Sequence, residues 1–362
     1  MPSNNRIVLA AAGSGKTTYI VEQACGDTSS RAALITYTNN GCGALEEKAY
    51  ARFGRIPPHV TVSTWYTFLM YHLIRPYQRA LYDRARVSAI CFDNGISAIG
   101  SKKTDIGRHY FAAPGVIYSD KVTEFACAIM DRIGEAPLQR LEQLYGRLFI
   151  DESQDLAGYD LDLVERIMKC RIAVSLVGDH RQATYATNPS RKNKKYHGAG
   201  IVGRFEAWEK AGLCQIERHA HSHRCIQEIC DFADVLHPTE PKTESRNTSV
   251  TGHDGMFAVR RSDAAEYFRK FSPQTLRYNR TTDALGEPIN YGAAKGMTFD
   301  RTMIYPHGPL EKYLASGNLD DVSKSLQKVY VAVTRARQSV AFVVGDRAKV
   351  SGGIKLYQPG DV

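Results

Sequence analysis

The chain has no Cys-x-x-Cys pair, no apolar run of bilayer-spanning length, no low-complexity tract and no detectable internal repeat. Its eight cysteines, at 25, 42, 91, 127, 170, 214, 225 and 230, are scattered. A chain of 362 residues has room for hydrophobic cores without cross-links, so reduced thiols in a cytosol are the simpler reading. The first apolar stretch follows one basic residue and passes directly into a glycine-containing loop, which makes it a buried strand and not a signal peptide. Without an apolar run near the roughly 20 residues that cross a bilayer, a membrane-spanning helix is excluded. The expectation is a cytoplasmic protein with no membrane partner. No compact carboxylate–lysine constellation of a nuclease is present either.

What is there is an ordinary soluble composition, 43% apolar and 23% charged, with a formal net charge of +9. An excess of Lys and Arg suits a polyanionic partner, because cations that neutralise phosphates release condensed counterions. Charge alone leaves a basic cytosolic protein equally open.

Short apolar runs rich in β-branched residues recur at Arg6–Ala12, Ala32–Thr36, Val60–Ser63, Leu148–Ile150 and Ile172–Val177. Helical spacing lies between them, as at Gly43–Phe53 and Leu161–Met168. The rhythm restarts with Cys214–Glu217, Phe257–Val259, Thr275–Tyr278, Arg301–Ile304 and Val340–Val344. Alternation of this kind predicts an α/β fold with mainly parallel sheets flanked by helices. The expected domains are 1–213, with a small inserted subdomain at 75–147, and 214–362. Within 187–199 four basic side chains fall between Arg191 and Lys195. Nucleic-acid contact and a merely solvated charge run both fit that exposed loop.

Ala10–Thr18, AAAGSGKTT, follows a strand and precedes a helix, the setting a phosphate-binding loop requires. Small residues let the backbone N–H groups of Ala12, Gly13, Ser14, Gly15, Lys16, Thr17 and Thr18 turn around phosphates at the positive end of the helix. Lys16 would reach the β/γ-phosphates and the Thr17 hydroxyl would ligate Mg²⁺. The first glycine of the usual pattern is replaced by Ala10. Downstream, LFIDESQDL ends an apolar strand in Asp151-Glu152. That places one carboxylate on Mg²⁺ and the next beside an attacking water.

With Gln154 and Asp155, these segments resemble UvrD/Rep-type superfamily 1 helicases, and the remaining motifs follow in that family's order. Leu34–Lys48, Val62–Phe68, Leu176–Tyr185, Ile216–Arg224, Ile289–Phe299 and Val329–Val344 are each similar to one of its segments. The resemblance implies two RecA-like P-loop domains in tandem that hydrolyse ATP at their interface. Glu152 would be the base, Gln182 the γ-phosphate sensor, and Arg224 and Arg335 the charges that stabilise the transferred phosphoryl group. Gly296 would lie in a nucleotide-contacting segment. Single-stranded DNA would be held by Thr36, Asn39, Ser63 and Thr64 and stacked on Tyr37, Trp65, Tyr185 and Tyr196. Core packing remains open for each of those aromatics, and for Trp65 the two readings are close. RNA as the strand also stays open, as does a protein partner such as a nuclease. The family's movement is 3′→5′.

Several departures accompany the resemblance. Little chain precedes the phosphate loop, where the family carries an adenine-recognising segment. Thr298 stands where the family has an acidic residue that contacts ribose. The basic loop separates Tyr185 from Tyr196-His197-Gly198-Ala199, and the stretch from Arg224 to Lys295 is too short for the family's large second insertion. His219, His221, His223, Cys225 and Cys230 offer zinc-type ligands, but the cysteine spacing is not that of a finger and the segment coincides with the arginine motif.

Overall fold

The computed structural model describes residues 4–92, 95–185, 187–351 and 353–360. Two compact units divide the chain. One takes Lys16–Arg218 with the residues up to Leu9; the other takes Ala10–Gly15 with the chain from His219 onward.

The first unit is built on a six-stranded sheet. Its strands are β1 (Arg6–Ala10), β2 (Ala32–Thr36), β3 (Val60–Thr64), β4 (Arg147–Ile150), β5 (Ala173–Gly178) and β6 (Gln215–His219). Their order across the sheet is β3-β2-β4-β5-β1-β6. The pairs β1–β5, β2–β3, β2–β4 and β4–β5 are parallel. Parallel strands need crossovers that cover both faces, so they read as continuous apolar runs. All five residues of β2 are accordingly buried. One strand, β5, separates β1, which leads into the phosphate loop, from β4, which ends at Asp151. The carboxyl ends of the three lie side by side, where ligands of open α/β sheets collect.

Two sequence expectations shift. The strand near Cys214–Glu217, expected to open the second domain, is β6 at the edge of the first sheet. Its Gln215 N–H donates to the Asn5 carbonyl at 3.0 Å. The insertion at 75–147 does carry a small sheet of its own, from Ala89–Cys91, Phe111–Ala113 and Val116–Tyr118. Yet its described buried apolar residues share the main core. Helix Val122–Ile133 buries Phe125, Ala126, Ile129 and Met130 in the same apolar cluster as Leu148, Leu161 and Val164.

The second unit has its own six-stranded sheet. Its strands are β7 (Gly255–Arg260), β8 (Gln274–Arg277), β9 (Ile289–Asn290), β10 (Phe299–Tyr305), β11 (Ala336–Val344) and β12 (Lys355–Leu356), in the order β9-β8-β10-β11-β7-β12 and all parallel. Side chains alternate across it with period two. Val340, Phe342 and Val344 of β11 enter one apolar cluster, while Ala341 and Val343 enter another with Val259 and Tyr267. Among the described residues no helix is long and apolar enough to cross a membrane.

Candidate functional site

In the first unit, helix Lys16–Gly26 sets Thr17 opposite the end of β4. The Thr17 hydroxyl donates to Asp151 Oδ2 at 3.2 Å. The Asp151 N–H donates to the Ile35 carbonyl at 2.8 Å, which continues the β2–β4 ladder one residue past the strand and fixes the carboxylate's position. Glu152 then leaves the strand in the left-handed region, φ +54°, while its N–H is held by Asp151 Oδ1 at 2.9 Å. Left-handed backbone at a non-glycine residue costs on the order of 1–3 kcal/mol and is retained where a function needs it. Here two successive carboxylates take different partners, Asp151 the Thr17 hydroxyl and Glu152 the Gln154 amide.

A hydrogen-bonded series runs on from this pair. Gln154 donates to Glu152 Oε2 and accepts the Asp179 N–H at 3.0 Å. Asp179, at the end of β5, accepts from Arg181 Nε at 2.9 Å and from Gln182 Nε2 at 2.8 Å. Burial and the neighbouring Glu152 push the Asp151 carboxyl up to about 6, against the attraction of Lys16. Burial acts the same way on Asp179, but Arg181, Lys16 and the Gln182 hydrogen bond outweigh it and hold this carboxyl well below the usual range. Asp151 and Thr17 are hard oxygen donors, one of them an ionisable carboxylate already costly to bury uncompensated. That donor set fits Mg²⁺.

The loop Ala10–Gly15 has Gly13 and Gly15 at φ +75° and +84°, conformations open to glycine and strained for other residues. Within the second unit its Ala11 N–H donates to the His219 carbonyl at 3.0 Å and its Ala12 N–H to the Tyr330 hydroxyl at 3.4 Å. The Gly13 carbonyl accepts the His223 N–H at 2.9 Å. Among the described residues the buried Ser14 hydroxyl has no hydrogen-bond partner, an orphan that a phosphate oxygen would satisfy. The remaining residue of the expected loop, Thr18, lies in the first turn of the helix and takes a hydrogen bond from Lys48 Nζ at 3.3 Å.

The two arginines differ in setting. Arg224 is half-buried and its Nη1 donates to the Thr334 carbonyl at 3.0 Å. Arg335 is fully buried. It donates from Nε to the Val331 carbonyl at 3.0 Å, from Nη1 to the Met297 carbonyl at 3.2 Å and from Nη2 to Thr334 Oγ1 at 3.3 Å. It therefore ties helix Leu326–Val333 to the exposed segment around Gly296, which itself has φ +84°. His219, His221 and His223 stand with successive ring centroids 5.9 and 5.2 Å apart.

Of the residues expected to hold a nucleic-acid strand, Thr36, Tyr37, Asn39, Ser63 and Thr64 lie at or just after the carboxyl ends of β2 and β3. Thr36 is buried, Tyr37, Ser63 and Thr64 are half-buried, and Asn39 is exposed. Tyr185 is 59% exposed, whereas Tyr196 is half-buried against Arg204. Trp65 is different: it is fully buried, and its indole N–H donates to Asp160 Oδ1 at 2.9 Å. It packs as core and offers no face for a base to stack on. Asp160, which sequence reasoning passed over, also accepts from Thr123 and from Thr187, each at 2.5 Å. Its only sequence signal was an acidic residue in the first turn of helix Tyr159–Met168.

A P-loop sequence on β1 and a strand-end carboxylate pair on β4, with one strand between them, in a chain with two parallel sheets flanked by helices, is the arrangement of an α/β nucleotide-binding fold. Residues 1–188 match the AAA domain family, and residues 130–344 match the viral superfamily 1 RNA helicase core domain. Each match takes in more than half of the chain, and the chain belongs to the superfamily 1 helicase core family. No curated protein matches it. Among solved structures it is similar to the nonstructural protein 10 helicase of an arterivirus, at 16% identity and TM-score 0.46, covering 94% of this chain and 59% of that one. It is also similar to the PRRSV helicase, at 15% identity and TM-score 0.46, covering 96% and 55%. A third is arterivirus nonstructural protein 10 in complex with DNA, at 15% identity and TM-score 0.47, covering 95% and 61%. The chain thus spans less than two-thirds of the length of these proteins.

Proposed function

We propose that this chain is an ATP-driven translocase on single-stranded nucleic acid, of UvrD type and moving 3′→5′. The observation that carries the reading is the connected series Thr17–Asp151–Glu152–Gln154–Asp179–Gln182. Its hydrogen bonds along neighbouring strand ends support reading Thr17 and Asp151 as the metal-binding pair, Glu152 as the general base and Gln182 as the amide sensor.

In this reading Lys16 and the loop from Ala12 to Thr18 bind the phosphates, while Thr17 and Asp151 hold Mg²⁺. The ion, when bound, neutralises charge on the β- and γ-phosphate oxygens. Glu152 accepts a proton from the attacking water at its carboxylate, which Gln154 orients by donating to Oε2. Gln182 senses the γ-phosphate with its side-chain amide. The family resemblance would give Arg224 and Arg335 the stabilisation of negative charge that grows during phosphoryl transfer. Gly296 lets its segment follow the nucleotide.

A strand would cross Thr36, Tyr37, Asn39, Ser63, Thr64 and Tyr185, with backbone phosphates on hydroxyls and amides and bases on aromatic faces. The matched family is named for RNA helicases and one similar structure holds DNA, so both sugars belong in the test. The short stretch from Arg224 to Lys295 favours a second reading, a nucleic-acid-stimulated ATPase that works as a switch or recruiter beside a partner such as a nuclease.

Steady-state ATP hydrolysis with and without single-stranded DNA or RNA tests the proposal, with Glu152→Gln as control. Stimulation by one strand type that Glu152→Gln abolishes is expected. Folded, Mg²⁺-supplied protein that hydrolyses no ATP with either strand would sink it. Displacement of a duplex with a 3′ tail, compared with a 5′ tail, separates the translocase from the switch and fixes polarity.

A further inference from the structure

The basic loop that interrupts the motif order is an ordered structure, anchored at three points. At its root the Thr187 carbonyl accepts the Tyr66 hydroxyl at 3.2 Å, next to the Ser63–Thr64 strand end. Asn188 is buried; it donates to the Asp120 carbonyl at 3.3 Å and accepts the Ser190 N–H at 2.9 Å. Asn193 turns in the left-handed region, φ +56°, with its amide donating to the Gly158 carbonyl at 2.9 Å and to Asp162 Oδ1 at 3.3 Å.

Cations are mounted on this frame through tyrosine rings. Lys192, from the loop, and Lys103, from the insertion, each lie 5.0 Å from the centroid of Tyr159. Lys195 lies 4.8 Å from the centroid of Tyr196 and Arg204 5.5 Å from it. Three of these charges are already answered: Lys192 by Asp162 at 3.2 Å, Lys103 by Glu124 at 2.6 Å and Arg204 by Glu165. Arg191, Lys194 and Lys195 are exposed, and among the described residues no carboxylate comes within ion-pair distance of them. Three cations without a carboxylate partner, on a backbone held by the Asn188 and Asn193 amides, differ from a solvated charge run, because little backbone ordering entropy is left to lose when an anion binds.

We propose that Arg191, Lys194 and Lys195 form a phosphate-binding ridge. It would grip the sugar-phosphate backbone of the single strand beyond its contacts at the ends of β2 and β3. The assignment rests on the translocase reading, and the tie from Tyr66 to Thr187 is what makes the ridge continuous with that strand and not a separate duplex site.

Salt titration of affinity tests it. Each phosphate neutralised on a single strand contributes about 0.7 to the slope of log affinity against log salt. Replacing Arg191, Lys194 and Lys195 together by Gln should therefore lower that slope by about 2, with fluorescence anisotropy on a labelled single strand as the readout and the unfolding midpoint unchanged. The matched control replaces the exposed Lys210, Lys242 and Lys324 by Gln, an equal change of charge elsewhere, and should leave the slope alone. The ridge is overturned if the first variant keeps the wild-type slope, if both variants lower it equally, or if only duplex binding changes. Wild-type protein that binds no single strand at any salt overturns the ridge and the translocase reading together. Intact wild-type binding with an indifferent slope overturns the ridge alone.

Discussion

Trp65 gives its indole N–H to Asp160 across a separation of 95 residues, at 2.9 Å and away from water. Thr123 and Thr187 give their hydroxyls to the same carboxylate, so one buried acid joins the strand-end segment after β3, the helix of the insertion and the root of the basic loop. Burial raises the Asp160 carboxyl above the ordinary aspartate range, against the pull of those hydrogen bonds. Replacing Asp160 by Ala leaves several buried donors unpaired, at about 1–3 kcal/mol each. Trp65→Ala should cost about 3–5 kcal/mol as a core cavity. Urea unfolding measures both. Trp65→Phe, which keeps most of the volume, should leave single-strand affinity of the folded protein nearly unchanged. A loss of the size of one stacked base, about 1–3 kcal/mol, would show that Trp65 does meet nucleic acid.

Gly13 and Gly15 both have positive φ, but their surroundings differ. A Cβ on Gly13 would lie 2.5 Å from Arg224 Cβ and 2.6 Å from Ser222 Oγ, whereas one on Gly15 would meet only His223 Cδ2 at 4.0 Å. Gly15→Ala should therefore show little beyond backbone strain, about 1 kcal/mol, while Gly13→Ala adds a clash that the loop cannot relieve without moving. Equilibrium unfolding without nucleotide ranks the two. Equal stabilities would mean that the loop does not sit against Ser222 and Arg224 in solution.

The meeting of Thr17 with Asp151 was legible in the sequence because each stands at the end of a local pattern. Lys16-Thr17 and Asp151-Glu152 each follow a short apolar run, and a buried parallel strand must end where the run ends. The same local logic located β1 to β5. What stayed hidden depended on distant partners. Nothing near Trp65 announces Asp160, and nothing near Arg335 announces that the carbonyls of Val331 and Met297 will hold it. The strand β6 was assigned to the wrong sheet because its polar, edge-type sequence, Gln215–His219, carries no mark of which neighbour it pairs with. The insertion was legible as an interruption but not as part of the main core, since the apolar face of Val122–Ile133 fits a separate subdomain equally well.

Glu124 is a buried acid beside two lysines and a histidine. Lys103 Nζ lies 2.6 Å from Oε1, Lys121 Nζ 3.3 Å from Oε2 and His109 Nε2 3.5 Å from Oε1. Burial acts to raise its carboxyl, but the Lys103 hydrogen bond and the charges of Lys121, Lys103 and His109 outweigh it, so the folded value lies below the ordinary 4.5. A depressed folded value means that the unfolded chain binds the proton first. The contribution is complete above the unfolded value and is lost as pH falls through the folded one. Unfolding free energy of wild type should therefore fall more steeply below about pH 4.5 than that of Glu124→Gln, whose amide does not titrate. Parallel acid limbs would show that Glu124 does not contribute this linkage.

Arg335 and Arg337 are two residues apart in one motif, and their settings predict opposite outcomes. Arg337 is exposed and reaches exposed Asp300 at 3.5 Å, so Arg337→Ala should leave the unfolding midpoint in place. Arg335 is buried, with its guanidinium spread over the Val331 and Met297 carbonyls and the Thr334 hydroxyl. Removing it strands those acceptors and releases the segment around Gly296, at a cost of about 3 kcal/mol or more. Arg335→Lys keeps the charge but replaces a planar fork by a single point that cannot reach all three acceptors, so it should recover only part of the loss. This bears on catalysis, because the family resemblance gives Arg335 a transition-state role as well. The two effects separate by temperature. If turnover in Arg335→Ala is lost well below its own unfolding transition while nucleotide still binds, the arginine acts on the phosphoryl group. If activity returns whenever the variant is folded, its task is to hold the helix against the Gly296 segment.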